Sequence, residues 1–320
     1  MDKEREKKLA LSFIPSVTAE DLKRIWNTDI SWESIEIFLG KERLEWFMDD
    51  LKWADDDSIG EHGFIFYGDY DYPETLKNDP QAPFRIAYYG SKPMGNNGTY
   101  NRAESITVVG TRRCTSEGIK NAFVFASEAS NAGLVVYSGY ADGIDKAAHY
   151  GAIAAGKPTF AVLPSGLSHE YSHRRARLEE YILSNGGGFI SQFRCSEDPY
   201  KGNFYIRNRL LASLTDATVV IEAPKQSGSL ITARAAVELG KSVFVNATNS
   251  KNFRVNEGCA ELKSEGAIEI NSYSSLSENH IEYPKGRVLV EIERDKVAEV
   301  KATKSADKIL GYNGCYFAIV

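Results

Sequence analysis

Six apolar runs between residues 105 and 247, each too short for a helix, constrain this chain more than any other feature. They read SITVVG, LVVYSG, PTFAVLP, GGFISQF, ATVVIEA and KSVFVNA. Helical segments separate them, beginning near Thr115, Gly143, Arg174, Tyr205 and Ser229. A strand with one wet face alternates apolar and polar residues, whereas nearly continuous Val, Ile and Phe means that both faces are covered. Parallel strands joined by crossover helices meet that requirement. The pattern predicts an α/β chain with a mostly parallel, doubly wound sheet over residues 105–272.

The flanks read differently. Residues 1–60 predict a small helical domain built from LALSFIPSV, TAEDLKRIWN with Thr18 as N-cap, SWESIEIFL and KERLEWFMDDLKWA. Apolar Leu22, Ile25, Trp26, Ile35, Phe38, Leu39, Leu44, Phe47, Met48 and Leu51 recur there at helical spacing. Residues 61–104 are rich in Gly, Pro, Tyr and Asn and predict a connector packed on the core, with short extended pieces GFIFYG and FRIAYYG. AIEI at 267–270 closes the pattern. Residues 273–320 form a tail to which no module is assigned, although GRVLVEI and CYFAIV suit short strands.

A chain of 320 residues that is 42% hydrophobic buries a core of its own. No apolar run is long enough to cross a bilayer and no leader is evident, so a cytoplasmic location is expected. Cys114, Cys195, Cys259 and Cys315 are scattered and predict neither a zinc site nor a disulfide framework. The net charge of −6 argues against a globally basic nucleic-acid binder. Residues 1–60, however, hold 15 Asp plus Glu against 9 Lys plus Arg, so they account for all of it and leave the remainder neutral. A neutral body still allows a local basic surface.

Sheets of this kind bind ligands beyond the carboxyl ends of their strands, where loops meet helix N-termini. In VVGTRRCTSEG, Gly110 ends a strand, Thr111 and Thr115 cap or donate, and Arg112 and Arg113 stand beside the next helix. Such a loop suits a phosphate, but it lacks the G-x-G-x-x-G fingerprint and gives no support for bound NAD. In YSGYADGIDKAAH, Ser138 and Gly139 leave the strand, Gly143 permits close backbone approach, and Asp145 is expected to hold the turn rather than to catalyse. LPSGLSHEYSHRRARLEEY gathers His169, His173, Arg174, Arg175 and Arg177 in a basic helix start, with too few ligands for a metal. YKGNFYIRNRLLASLTD interleaves Lys201, Arg207 and Arg209 with Phe204 and Tyr205, the mixture of cations and rings that single strands need. Arg207 beside Asn208 also suits an internal brace. In EAPKQSGSLITARAA, Ser227, Gly228 and Ser229 open a strong helix and let amides face an anion.

Together and in this order, VVGTRR, SGYADGID with AAHYGAIAAG, TFAVLPSGL, NFYIRNRLLASLTDATVVIEA and SGSLITARAAVELGKSVF resemble the DprA/Smf family of DNA-processing proteins, over about residues 8–270. The resemblance implies an extended Rossmann-like fold and a non-enzymatic, cofactor-free, homodimeric protein. Such a protein binds single-stranded DNA and helps load the RecA recombinase during natural transformation. Its DNA-contacting basic positions map onto Arg112, Lys201, Arg207 and Arg209, with Arg113 adjacent and with Gly139 and Ser227–Ser229 shaping the pocket. The chain departs from the family pattern in three motifs and in its C-terminal tail, which has no recognisable winged-helix pattern. Asp142 stands where an arginine is usual, VNA replaces V-P-G after the sixth strand, and GCAELK replaces G-C-N-x-L-I at 258–263. The rival readings are a nucleotide sensor and a phosphoribohydrolase-like enzyme, but EAPKQSGSLITA has no glutamate at the place such hydrolysis requires.

Overall fold

The computed structural model describes residues 1–14, 17–58, 60–93, 105–168, 176–246 and 253–273, together with three strands beyond residue 288. Three helices open the chain: α1 (Lys3–Leu11), α2 (Ala19–Asn27) and α3 (Trp32–Ala54). Each has its start signal. The Asp2 carboxylate accepts from the Arg5 N–H, Thr18 and Asp21 form a reciprocal capping box, and the Ser31 hydroxyl accepts from the Ser34 N–H. The first helix begins six residues before the expected LALSFIPSV, because Asp2 supplies the cap and the polar run KEREKK is helical. Gly40, at φ +64, splits α3 at the boundary between the two helices read from sequence. Helical spacing did not bury every apolar position, since Phe38 is 59% and Met48 43% exposed.

GFIFYG and FRIAYYG become β1 (His62–Phe66) and β2 (Arg85–Gly90), with the short α4 (Glu74–Lys77) between them. They do more than pack on the core. β1 pairs antiparallel with β2, and β2 antiparallel with a sheet strand, so the two extend the sheet itself.

The six apolar runs supply β3 (Ser105–Gly110), β4 (Val135–Ser138), β5 (Thr159–Val162), β6 (Gly188–Ser191), β7 (Ala217–Ile221) and β8 (Ser242–Asn246), and β9 (Ile268–Glu269) follows. Between them run α5 (Ser116–Asn131), α6 (Ile144–Ala154), α7 (Ala176–Ser184), α8 (Lys201–Leu214), α9 (Gly228–Glu238) and α10 (Glu257–Ser264). The described sheet has nine strands in the order β1-β2-β6-β5-β4-β3-β7-β8-β9, parallel from β6 to β9. Alternate residues serve opposite faces. Ile106, Val108, Val219 and Ile221 pack with α5 and α6, whereas Val109 and Val220 pack with α8 and α9. This accounts for the unbroken apolar runs. The N-terminal helices cover the β1-β2 end, sharing one apolar cluster with Phe64, Phe189, Leu178 and Ile182.

Three further strands, β10 (Leu289–Ile292), β11 (Lys308–Tyr312) and β12 (Cys315–Ile319), make a separate antiparallel sheet in the order β10-β12-β11. GRVLVEI and CYFAIV contain two of them. From β3 the chain steps outward through β4, β5 and β6, then returns to place β7 on the other side of β3. The strand order therefore reverses between β3 and β7, and a crevice opens there beyond the carboxyl ends.

Candidate nucleic-acid interface

The crevice is a cavity of about 620 Å³ formed by the ends of β3 and β7, the first turns of α8 and α9, and the loop into α6. From the first loop come Gly110, Thr111, Arg112 and Arg113, and from α8 Lys201, Phe204, Tyr205 and Arg207. Gly139, Ser227, Gly228 and Ser229 complete the wall from the other loops. Most residues singled out in the sequence thus meet in one place, though they span more than a hundred positions.

Arg112, Arg113 and Lys201 are exposed. Among the described residues, no carboxylate lies within ion-pairing distance of any of the three. The Arg112 guanidinium stands 5.3 Å from the centre of the Phe204 ring, whose other neighbour, Arg207, is 5.8 Å away. Tyr205 is 62% exposed beside them. Lys201 opens α8 four residues before the expected start. Tyr200 provides no side-chain cap and Gly202 occupies the first turn, so no start signal was present in the sequence.

Arg207 is different. It is 4% exposed, and its Nη1 donates to the carbonyls of Gly139 at 2.5 Å and Val162 at 2.7 Å, while Nε donates to Asn208 Oδ1 at 2.9 Å. Burial lowers its pKa to about 10, against the pull of Asp145. It stays cationic at neutral pH and braces the ends of β4 and β5 from beneath the crevice. Gly139 is required there, since a Cβ would fall 2.7 Å from both Arg207 Nη1 and an Asp145 oxygen. Asp145 is 5% exposed, accepts from the Ala141 N–H at 3.4 Å, and is pushed up to about 6 by burial.

Arg209 lies on another side of α8. Its guanidinium grips Asp79 through Nε and Nη2, at 3.2 and 2.7 Å, and Glu238 through Nη1 at 2.8 Å; the Ser213 hydroxyl also bonds Asp79. It clamps α8 to the loop after α4 and to α9, and it does not line the crevice. Ser138 is buried and donates to the Val108 carbonyl at 2.6 Å, tying β4 to β3. Gly143, at φ +87, lets the loop into α6 approach the chain closely, where a Cβ would meet the Thr111 carbonyl at 2.4 Å. Asp142 is exposed, with Lys146 Nζ 3.9 Å away, and is not part of the crevice wall. His169, His173, Arg174 and Arg175 lie outside the described residues, and Arg177 is exposed on α7.

Glu222 was not foreseen. It is fully buried at the end of β7 and accepts from the Thr115 N–H at 2.8 Å and the Thr115 hydroxyl at 2.5 Å, fixing the start of α5 behind the arginine loop. A lone carboxylate closing the apolar run VVIEAP was its only trace in sequence. Glu222 and Tyr140 both have left-handed backbones, φ +50 and +58, in the segments that carry Pro224 and Gly139 to the crevice wall. Such conformations cost roughly 1–3 kcal/mol each and persist where the surroundings enforce them. At the far wall, Ser227 caps α9 and its hydroxyl lies 2.7 Å from that of Ser229, while the Gly228 carbonyl accepts from Asn208 Nδ2 at 3.1 Å. The positive end of α9 therefore faces the cavity.

Residues 63–280 match the model of the family described as DNA recombination-mediator protein A. The chain belongs to that family. Among curated relatives, protein Smf of Synechocystis is 34% identical over 218 residues, 68% of this chain and 52% of that protein. DNA processing protein DprA of Streptococcus pneumoniae is 35% identical over 201 residues, 63% of this chain and 68% of its own length. The match thus spans about half to two thirds of these family members. The X-ray structure of the S. pneumoniae protein superposes with a TM-score of 0.67 at 29% identity, covering 88% of this chain and 99% of that one. DNA processing protein A from Helicobacter pylori, described as having a unique single-stranded DNA binding mode, matches with a TM-score of 0.58 at 25% identity over 68% of this chain and 94% of its own. No described helix is long and apolar enough to cross a membrane.

Proposed function

We propose that the crevice between β3 and β7 binds single-stranded DNA, in a DNA-processing role shared with the family. The observation that carries this reading is the convergence of Arg112, Arg113 and Lys201, without carboxylate partners among the described residues, on a cavity that also offers Phe204 and Tyr205. Phosphates would meet the cations and the first turn of α9, and bases would stack on the rings. Among the described residues Asp145 is the one carboxylate in the wall, and it is buried and occupied as an acceptor, which favours binding over hydrolysis. Arg207 shapes the floor and Arg209 the scaffold. Loading of RecA onto the bound strand, homodimerisation and a part in natural transformation extend this reading; the family match and the likeness to the pneumococcal and H. pylori DNA processing proteins support the DNA-processing role on which they build.

Fluorescence anisotropy with single strands and duplexes of mixed sequence tests it. Single strands bind more tightly, and three phosphate contacts give a slope near −2 in log affinity against log salt, from about −0.7 per contact. Arg112→Ala or Lys201→Ala weakens binding without loss of stability. No binding at low salt, or unchanged affinity in both variants, overturns the assignment.

A further inference from the structure

A second cleft of about 650 Å³ opens on the same face, between the N-terminal helices and the β2-β6 edge of the sheet. Its wall includes Arg43 and Trp46 of α3, Phe84 and Arg85 at the start of β2, and Gln192 and Arg194 after β6. β2 runs antiparallel to β6, so its first residues and the carboxyl end of β6 lie at one edge, the edge on which the crevice also opens. A small hollow connects the two. It shares Tyr205 with the crevice and Gln81, Pro83 and Gln192 with the cleft. Exposed Tyr205 and Ile206 form the bridge.

The cleft has the chemistry of a strand-binding groove. Arg43 is half-buried, and among the described residues no carboxylate pairs with it. The Arg194 guanidinium lies 4.2 Å from the centre of the partly exposed Trp46 ring and shares Glu197, 3.3 Å from its Nε, with Asn203. Arg85 is held by Asp50 at 2.8 Å. Of the three guanidinium groups in the wall, Arg85 is thus buried against Asp50 and Arg194 engages Glu197, while Arg43, in the same wall as the Trp46 indole, has no carboxylate partner among the described residues. β3 and β6 are three strand spacings apart, roughly 14 Å at about 4.8 Å each, a distance that a few nucleotides cover.

We propose that this cleft holds the flanking nucleotides of the strand bound in the crevice, with phosphates on Arg43 and Arg194 and a base against Trp46. The inference rests on the crevice reading and adds the path of the strand and a role for the N-terminal helices.

The test measures affinities of two oligothymidylates, one of about 6 nucleotides that fills the crevice alone and one of about 20 that exceeds both sites. The wild-type chain binds the longer one more tightly. Arg43→Gln and Trp46→Ala weaken the long strand about tenfold and leave the short one unchanged, while Arg112→Ala weakens both. Arg43→Gln also lowers the salt slope for the long strand by about 0.7. Photocrosslinking from a 5-iodouracil placed in the flank, with peptide mapping, attaches to the Trp46 peptide and gives a readout independent of any variant's fold. Equal effects of Arg43→Gln and Trp46→Ala on both lengths, or none on either, with crosslinks confined to the Phe204 peptide, overturn the inference and leave the crevice reading standing. If neither length binds, or Arg112→Ala is silent, both fall.

Discussion

Asp145 and His149 sit one turn apart on α6, both buried, and titrate in opposite senses. Burial raises Asp145 to about 6 and lowers His149 to about 3. The Thr159 hydroxyl donates to the Val136 carbonyl and so accepts from His149 Nδ1–H at 2.8 Å, leaving the buried Nε2 unprotonated and without a partner among the described residues. Between about pH 4 and 6 the folded chain keeps a proton on Asp145 that the unfolded chain has lost. Stability from this group therefore falls as pH rises through that window, by up to about 3 kcal/mol. For His149 the unfolded chain binds the extra proton, so its contribution is complete above about pH 6.5 and is lost as pH falls. The two slopes oppose each other. Asp145→Asn is expected to steepen the loss of stability on acidification and His149→Gln to flatten it, as read by urea unfolding between about pH 4 and 7; unaltered slopes would refute the assignment. Arg207 belongs to the same cluster. Arg207→Ala strands the Gly139 and Val162 carbonyls and removes the cation nearest Asp145, at an expected cost of about 3–5 kcal/mol, whereas Arg112→Ala stays within about 0.5 kcal/mol.

Among the elements, α5 depends on a residue from a distant strand. Glu222→Ala removes the acceptor for Thr115 N–H and Oγ1 and is expected to cost about 2–4 kcal/mol, with faster amide exchange confined first to the opening turn of α5. Uniform exchange across the sheet would count against that local role. Gly40→Ala has no steric neighbour to meet, yet its φ of +64 predicts a cost of about 1 kcal/mol, measurable by thermal unfolding. Such elements show what a sequence carries. The parallel strands were legible because burial on both faces demands unbroken Val and Ile runs, and the crevice loops because cations, small residues and rings cluster at strand ends. The antiparallel β1 and β2 were visible as extended pieces, but nothing local says that they join the sheet, since that depends on pairing with β6. The brace formed by Arg207 was open as one of two readings beside Asn208, whereas the clamp formed by Arg209 was hidden. Arg207 and Arg209 are two positions apart, so they point to different sides of the helix, and Asp79 and Glu238, which engage Arg209, are far away in sequence.

The whole molecule joins its N-terminal helices to the sheet by more than a linker. Asp50 on α3 accepts from the Cys195 N–H at 2.8 Å and pairs with Arg85, and the surrounding apolar cluster draws on both parts. Burial raises the Asp50 pKa, with Arg85 opposing it. Calorimetry is therefore expected to show α1–α3 and the sheet unfolding in one transition, with Asp50→Ala lowering it as a unit by about 3–5 kcal/mol; two separated transitions would disprove the coupling. The placement of β3 also bears on how the chain is made. β4 can pair with one edge of β3 early, but the other edge must wait for β7, and the Glu222 that seats Thr115 follows it by 107 residues. At about 5–20 residues per second, a ribosome needs roughly 5–20 s to deliver it. For that interval the nascent chain carries an open, apolar strand edge, and the crevice acquires its second wall only after β7 and the start of α9 have been synthesised.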